Sequence, residues 1–126
     1  DIYQLTQEIF SSIGTVHEVA EKDFSTFTAI AGSSPAYIYM FVDALSRAGV
    51  LHGIPKDQAT KIVAETVAAS AQMILESEEG PWTLVDKVSS PGGTTVAGVV
   101  SLEQNHFVAT VIDAITATIE KENTLN

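Results

Sequence analysis

The chain has 126 residues, 45% of them hydrophobic and 17% charged, which is the size and composition of one globular domain rather than a disordered segment. Six basic against sixteen acidic side chains give a formal charge of −10; this repels a phosphate backbone and excludes nucleic acid as a partner, while zero cysteines exclude disulfides, thiol catalysis and cysteine-bound metal. The apolar runs Ala36 to Val42 and Val96 to Val100 are far shorter than the roughly 20 residues that cross a bilayer, and no charged-then-apolar leader opens the chain. The expectation is a soluble, cytoplasmic protein with no membrane partner. Its mean hydropathy of +0.20 is high for a short chain, whose large relative surface is normally covered with charge, so part of that apolar surface is expected to lie against another subunit.

In chain order, Ile2, Leu5, Ile9 and Ile13, with Phe10, recur at three- and four-residue spacing and predict a helix that Gly14 ends. No capping residue precedes it, from which a longer natural chain is expected. Between Thr15 and Ala20, Val16 and Val19 alternate with polar residues and read as a turn or a short strand. Ser34 and Pro35 form a helix start, serine as cap and proline at the first helical position, and the helix is expected to run to about Leu51. Its first part, Ala36 to Val42, is apolar on every side. A helix hydrophobic all round must be covered all round, which predicts an intertwined dimer.

Gly53 and Pro55 break the chain, and Ala59, Ile62, Val63, Thr66, Val67, Ser70, Met73 and Ile74 then trace a helical stripe. Ala68, Ala69, Ser70 and Ala71 keep its middle thin enough for close helix packing. Gly80 and Pro81 end that helix and begin a short one through Val88. After the loop Ser89 to Gly93, one helix carries Val96, Val99, Val100 and Leu102, and a last one carries Phe107, Val108, Val111, Ile112, Ile115 and Ile119, with a frayed polar tail from Lys121 to Asn126. No repeat or linker divides the chain, so residues 1–126 read as one all-α domain, an intertwined helical bundle.

Chemistry is concentrated in Ser89-Ser90-Pro91-Gly92-Gly93-Thr94-Thr95, a proline, two glycines and four hydroxyls between two predicted helices. Glycines open backbone geometry and remove blocking side chains, and the free amides of the following helix carry partial positive charge, so such a loop can hold a carboxylate. The alternative is that Thr94 or Thr95 caps its helix and the glycines only turn the chain. Ala97 and Gly98 stand where a capping box wants Glu or Gln, so at least one hydroxyl lacks an obvious structural task. His17, His52 and His106 have no partner at metal-pair spacing, and no metal is expected. Glu76, Glu78 and Glu79 read as a solvated loop. Tyr37 and Tyr39 read as packing residues with satisfied hydroxyls, with a pocket role as the alternative. Neither a G-x-G-x-x-G nor a P-loop is present.

The run Val88-Ser89-Ser90-Pro91-Gly92-Gly93-Thr94-Thr95-x-x-Gly98-Val99-x-x-Leu102-Glu103 resembles the signature segment of pyrroline-5-carboxylate reductases. Ile13-Gly14, Ala31-Gly32-Ser33-Ser34-Pro35-Ala36-Tyr37, Ala44-Leu45, Gly49-Val50 and Gly53-Ile54-Pro55 follow the same family's order, so the resemblance covers nearly the whole chain. Two departures are Ser34, where the family often has glycine, and Thr66 to Ser70, where it often shows a glycine before its alanine.

The resemblance implies the C-terminal domain of a two-domain enzyme whose N-terminal Rossmann domain, absent here, binds NADPH or NADH, so no cofactor is expected on this chain. It implies a homodimer, in some members built further into a ring of dimers, and the reduction of 1-pyrroline-5-carboxylate to L-proline, the last step of proline biosynthesis. It also implies a substrate site at Ser90, Gly92, Gly93, Thr94 and Thr95: amides of the loop hold the substrate carboxylate, and the Thr95 hydroxyl, the candidate catalytic residue, hydrogen-bonds the ring nitrogen. Two alternatives stand beside this. A helical domain of a 3-hydroxyacid-type dehydrogenase would want a substrate-facing lysine, and Lys56, Lys61 and Lys87 sit at helix starts or exposed positions. A non-enzymatic helical dimerisation module would use the loop only as a turn.

Overall fold

The computed structural model describes residues 19–125, and all regular structure among them is helical. The helix expected at Ile2 to Ile13, the stop at Gly14, most of the Thr15 to Ala20 segment and His17 lie outside the described residues. A 3-10 turn at Glu21–Asp23 precedes α1 (Phe24–Thr28), a π turn (Ala29–Ser33) and α2 (Ser34–Leu51). Then follow α3 (Lys56–Glu76), α4 (Pro81–Lys87), α5 (Thr94–Gln104) and α6 (Phe107–Leu125). Among the described residues two compact units emerge from the contacts, one of residues 19–39 with 108–125 and one of residues 40–107; the division falls inside α2 and α6.

The α-helix starts at Ser34 and ends at Leu51, as the sequence suggests, but Ser34 does not cap a free end, because helical turns already run into it from Phe24. Pro35 has no amide to give the carbonyl four residues back and its ring crowds that carbonyl, so an uninterrupted α-helix is barred there; a wider π turn just before the proline relieves the clash. Ser34 closes the wide turn: its amide and its Oγ, at 3.2 Å, both donate to the Ala29 carbonyl oxygen. The extra residue also resets helical phase. Twelve positions separate Ser25 from Tyr37, which at about 100° per residue leaves them about 120° apart on a regular helix. Taking up one residue in the π turn brings them within about 20° of each other. Both then face α6, where the Tyr37 hydroxyl shares a hydrogen bond with Thr118 Oγ1 and Ser25 Oγ donates to Asn123 Oδ1 at 3.4 Å. Thr28, Ala29 and Gly32 around the turn are buried. The last helix keeps going to Leu125, past the Lys121 at which a frayed tail is expected, and Thr124 Oγ1 donates back to Lys121 O at 2.7 Å.

In the second unit, α2 stops at a left-handed glycine. Gly53 has φ 104°, its amide donates to Val50 O at 3.0 Å, and the Ile54 amide donates to Gly49 O at 2.9 Å, the paired bonds of a Schellman motif. Pro55 follows as the N-cap of α3, and the turn folds α3 back on α2. A Cβ at Gly49 would lie 3.1 Å from the Ala59 Cβ, so the two helices cross at a glycine facing an alanine. Ala59 is buried, as is Ser46, whose hydroxyl donates to Val42 O at 2.7 Å. An ion pair staples the same crossing: Lys56 Nζ lies 2.7 Å from Asp43 Oδ1, and Arg47 lies 2.9 Å from Asp43 Oδ2. The hydrogen bond from Lys56, with the positive charges of Lys56 and Arg47, holds the Asp43 carboxyl below its ordinary range. α3 ends at Glu76, before the expected stop at Gly80, because Ser77 turns extended and its Oγ accepts the Glu79 amide at 3.0 Å. At the other end of the unit, the Phe41 and Phe107 rings lie 6.1 Å apart.

Large apolar side chains are not what these contacts bury. Among the described residues the buried apolar side chains are Ala29 and Ala59. Tyr39 is 71% exposed, Met40 69%, Leu75 79% and Ile112 58%, and Ala68 to Ala71 on α3 are all exposed. Within the described residues the apolar stripes read from the sequence lie on helices, and many of their large side chains, Ile62, Met73, Ile74, Val100, Leu102, Phe107, Val108, Val111 and Ile112 among them, are exposed.

Three outcomes follow from this packing. Inserting one alanine in the π turn turns Ser25 and Tyr37 about 100° further apart and should lower the melting temperature by parting them from Asn123 and Thr118; an unchanged melting temperature would refute phase setting. Gly49→Val overpacks the α2–α3 crossing and should cost about 1–3 kcal/mol in urea unfolding, with an unchanged midpoint counting against the close approach. Asp43 has a folded-state pKa below its unfolded one, so its contribution is full above the ordinary carboxylate range and is lost as pH falls through the lowered value. Acidification from about pH 5 to pH 3 should therefore lower the melting temperature less steeply in Asp43→Asn than in the natural sequence.

Candidate functional site

The glycine-rich loop is mounted on α4, a helix of seven residues. Gly80 is its extended N-cap, and Pro81 follows at the first helical position, where a missing amide costs nothing. Lys87 Nζ reaches back 2.7 Å to Glu79 Oε1, tying the end of the helix to the residue before its N-cap. This exposed pair adds little stability, but it restrains the helix from which the loop departs. At the C-terminus the Val88 amide donates to Val85 O at 3.1 Å and the Ser89 amide to Asp86 O at 3.2 Å. Ser89 Oγ donates to Val85 O at 2.7 Å. Ser89, counted in the sequence only as one hydroxyl among four, is thus occupied with the end of α4.

The next four residues make one turn. The Gly93 amide donates to Ser90 O at 3.0 Å, Pro91 occupies the second position and Gly92, at φ 70°, the third; this is a type II turn with proline and glycine where that geometry wants them. Gly93 is demanded by space instead. A Cβ there would lie 2.5 Å from Ser90 Oγ and 3.1 Å from Ser90 O, so Ser90 sits directly against the backbone that opens α5.

Gly93 is the N-cap of α5 and has no side chain with which to cap it. Thr94 and Thr95 are the first two helical residues, so neither takes the capping role left open for them. Both are exposed, and neither hydroxyl is hydrogen-bonded within the described residues. The loop thus gathers Ser90, Gly92, Gly93, Thr94 and Thr95 in one short stretch, all within the second unit. It presents helix-terminal amides with no side-chain acceptor, two free hydroxyls and, from Val88 to Leu102, no formal charge. That arrangement suits an anion with hydrogen-bonding atoms on both sides of its charge.

The other polar candidates are engaged elsewhere or stand apart. Tyr37 has its hydroxyl on Thr118, and Tyr39 is 71% exposed. His52 and His106 are exposed, each at a helix corner, and His106 carries a left-handed φ of 62°. Glu76 accepts from Gln72 Nε2 at 2.9 Å and Glu79 is paired with Lys87. Lys56 is paired with Asp43, and Lys61 is exposed. Among the described residues no group of three His, Asp or Glu side chains can hold a metal ion. A dinucleotide fold wraps pyrophosphate between a strand and a glycine-rich helix start; the regular structure of the described residues is helical.

Comparison with known proteins matches this architecture to one family. The family described as "Pyrroline-5-carboxylate reductase dimerisation" matches residues 21–125. The chain is similar to the pyrroline-5-carboxylate reductase of Escherichia coli K12, 44% identical over 118 residues, covering 94% of this chain and 44% of that protein. The corresponding Aquifex aeolicus protein is 42% identical over 119 residues, covering 94% of this chain and 45% of the other. Among solved structures, 1-pyrroline-5-carboxylate reductase from Streptococcus pyogenes superposes with a TM-score of 0.85 at 51% identity, over 90% of this chain and 44% of that one. A Plasmodium falciparum pyrroline carboxylate reductase with NADP bound gives 0.83 at 39% identity, over 94% and 48%. The chain spans less than half the length of each of these proteins. With a family match over almost all of its described helices, the chain belongs to the pyrroline-5-carboxylate reductase dimerisation family.

Proposed function

We propose that these helices are the dimer-forming and substrate-binding part of a reductase that converts 1-pyrroline-5-carboxylate to L-proline, in the cytoplasm, with NADPH or NADH held by a separate nucleotide-binding domain. The observation that carries the reading is the loop: a type II turn at Ser90–Gly93 delivering an uncapped helix start with free Thr94 and Thr95 hydroxyls. The nicotinamide supplies the hydride in that reaction. What this chain supplies is orientation. Amides at Thr94 and Thr95 and the Ser90 hydroxyl receive the substrate carboxylate at the positive end of α5. The Thr95 hydroxyl bonds the ring nitrogen, which becomes more basic as the imine is reduced. An ordinary threonine hydroxyl is a weak acid, so Thr95 orients the nitrogen and relays a proton that water or a group on the other domain provides.

The dimer follows from surface chemistry. α2, α3 and α6 leave Ile38, Met40, Ile62, Met73 and Val111 exposed, and each such side chain fully covered contributes about 1.5–3 kcal/mol. Two identical copies with interlocked helices cover these faces at once, with the small-residue stretch Ala68 to Ala71 as the place where helices meet closely. Assembly of such dimers into a ring is the finer form of the same proposal. No helix among the described residues is long and apolar enough to cross a membrane, so these faces are read as protein interfaces.

In the complete reductase, Thr95→Ala should lower kcat/KM for 1-pyrroline-5-carboxylate at least about tenfold, roughly 1.4 kcal/mol of transition-state stabilisation; unimpaired turnover would remove Thr95 from the mechanism. Sedimentation of the 126-residue chain should give a dimer or a multiple of it at micromolar concentration, and a folded monomer would overturn the interlocked arrangement. The chain alone should neither bind nor oxidise NADPH.

A further inference from the structure

We infer that Ser89 is a positioning residue for the substrate loop: by clamping the loop's first residue to α4 it fixes where the turn and the α5 amides stand, and so sets affinity for the substrate carboxylate without touching it. The inference rests on the proposed reaction and deepens it. Four hydroxyls crowd this segment, and the structure divides them. Thr94 and Thr95 are exposed and unengaged, and Ser90 lies against Gly93. Ser89 is the half-buried one, and its Oγ is turned back onto Val85 O at 2.7 Å. A hydroxyl committed to a helix carbonyl on the far side of the turn is not available to a ligand.

The clamp matters because the loop is short: upstream of the turn it is tied to α4 by the Val88 amide on Val85 O at 3.1 Å and by the two bonds of Ser89. Between the last residue of α4 and the first of α5 stand six residues, Val88 to Gly93. The turn bond from the Gly93 amide to Ser90 O fixes the second half internally. It says nothing about how that half is aimed. Aim is set at Ser89, where one residue gives two bonds to α4: its amide to Asp86 O at 3.2 Å and its hydroxyl to Val85 O. The amide bond is long, so the hydroxyl bond is the stronger tether. With the hydroxyl gone, the Ser90–Gly93 turn and the α5 amides swing as one piece about Ser89, and the carboxylate meets donors that must be ordered on binding. The nitrogen-facing Thr95 rides on α5 once the substrate is seated, so the bound complex still reacts.

The test is steady-state kinetics of the complete reductase. Ser89→Ala should raise KM for 1-pyrroline-5-carboxylate by between about threefold and tenfold, the share of a single net hydrogen bond, leaving kcat and KM for the nucleotide within about twofold. Ser89→Thr, which keeps the hydroxyl, should restore KM. A variant that lost only fold stability would lower the amount of active enzyme and leave KM where it was. If Ser89→Ala does not fold, Ser89→Cys carries the test, since the thiol has similar size but donates weakly and the KM rise must persist. An unchanged substrate KM in Ala or Cys, failure of Thr to rescue, or an equal change in the nucleotide KM overturns the positioning role. An unmodified enzyme inactive on 1-pyrroline-5-carboxylate overturns the proposed reaction and this inference with it.

Discussion

A helix can hide one face against one neighbour, and the helices of this chain carry apolar residues on more faces than their own neighbours cover. The close contacts of the second unit run through Gly49, Ala59 and Ser46, small residues that let backbones meet but bury little area. The large side chains, from Ile38 and Met40 on α2 to Met73 on α3 and Ile112 on α6, stay exposed. Small residues inside and large ones outside is the reverse of a self-sufficient domain core. The arrangement makes physical sense if the chain's internal contacts set helix directions and a second copy provides the hydrophobic burial that stabilises them.

That division explains why so much local chemistry is spent on corners. A helix whose faces are meant for a partner must leave each corner in a fixed direction, because the partner's helices cannot correct it before they arrive. The Schellman turn at Gly53, the left-handed His106 before α6 and the π turn ahead of Pro35 each set a direction or a phase with backbone geometry alone. His106 is the costliest of these, since a non-glycine residue in the left-handed region gives up about 1–2 kcal/mol. Ser34 is the most economical, for its hydroxyl adds a second donor to the Ala29 carbonyl.

The elements after residue 34 are legible in the sequence because each rule that marks them is local: Gly53-Ile54-Pro55, Gly80-Pro81 and Gly93-Thr94 stand at the observed corners. Two features are just as local but leave no mark in the composition. Ser34-Pro35 has the composition of a helix start, yet the helix already runs through it, since a π turn can absorb a proline and composition does not reveal whether one forms. The end of α3 was hidden in the same way, set by Ser77 bonding its own neighbour's amide rather than by Gly80. In the loop, the residues and the order of the turn can be read directly, but the assignment of hydroxyls cannot. Thr94 and Thr95 look like caps until Gly93 is seen to hold the N-cap position, and Ser89 looks like Ser90 until one is found on Val85 and the other on Gly93.

The acidic balance of the chain and the anionic substrate proposed for it are reconciled by distance. A formal charge of −10 would repel a carboxylate if the charges acted together at the loop. Exposed charges are screened over about 8 Å at physiological ionic strength, so only nearby groups count. Val88 to Leu102 contains none, and the first acid beyond, Glu103, lies nine residues along α5 from Thr94, about 14 Å at the helical rise. On the other side Asp86 is followed by Lys87, whose ammonium is joined to Glu79. Beside the exposed Asp86 carboxylate, the charge-bearing feature of the loop itself is the amide end of α5, worth about 0.3–1 kcal/mol to an anion at an exposed site and about 2 kcal/mol where water is partly excluded. The local dipole therefore acts at contact range, where most of a net charge whose sign points the other way is screened.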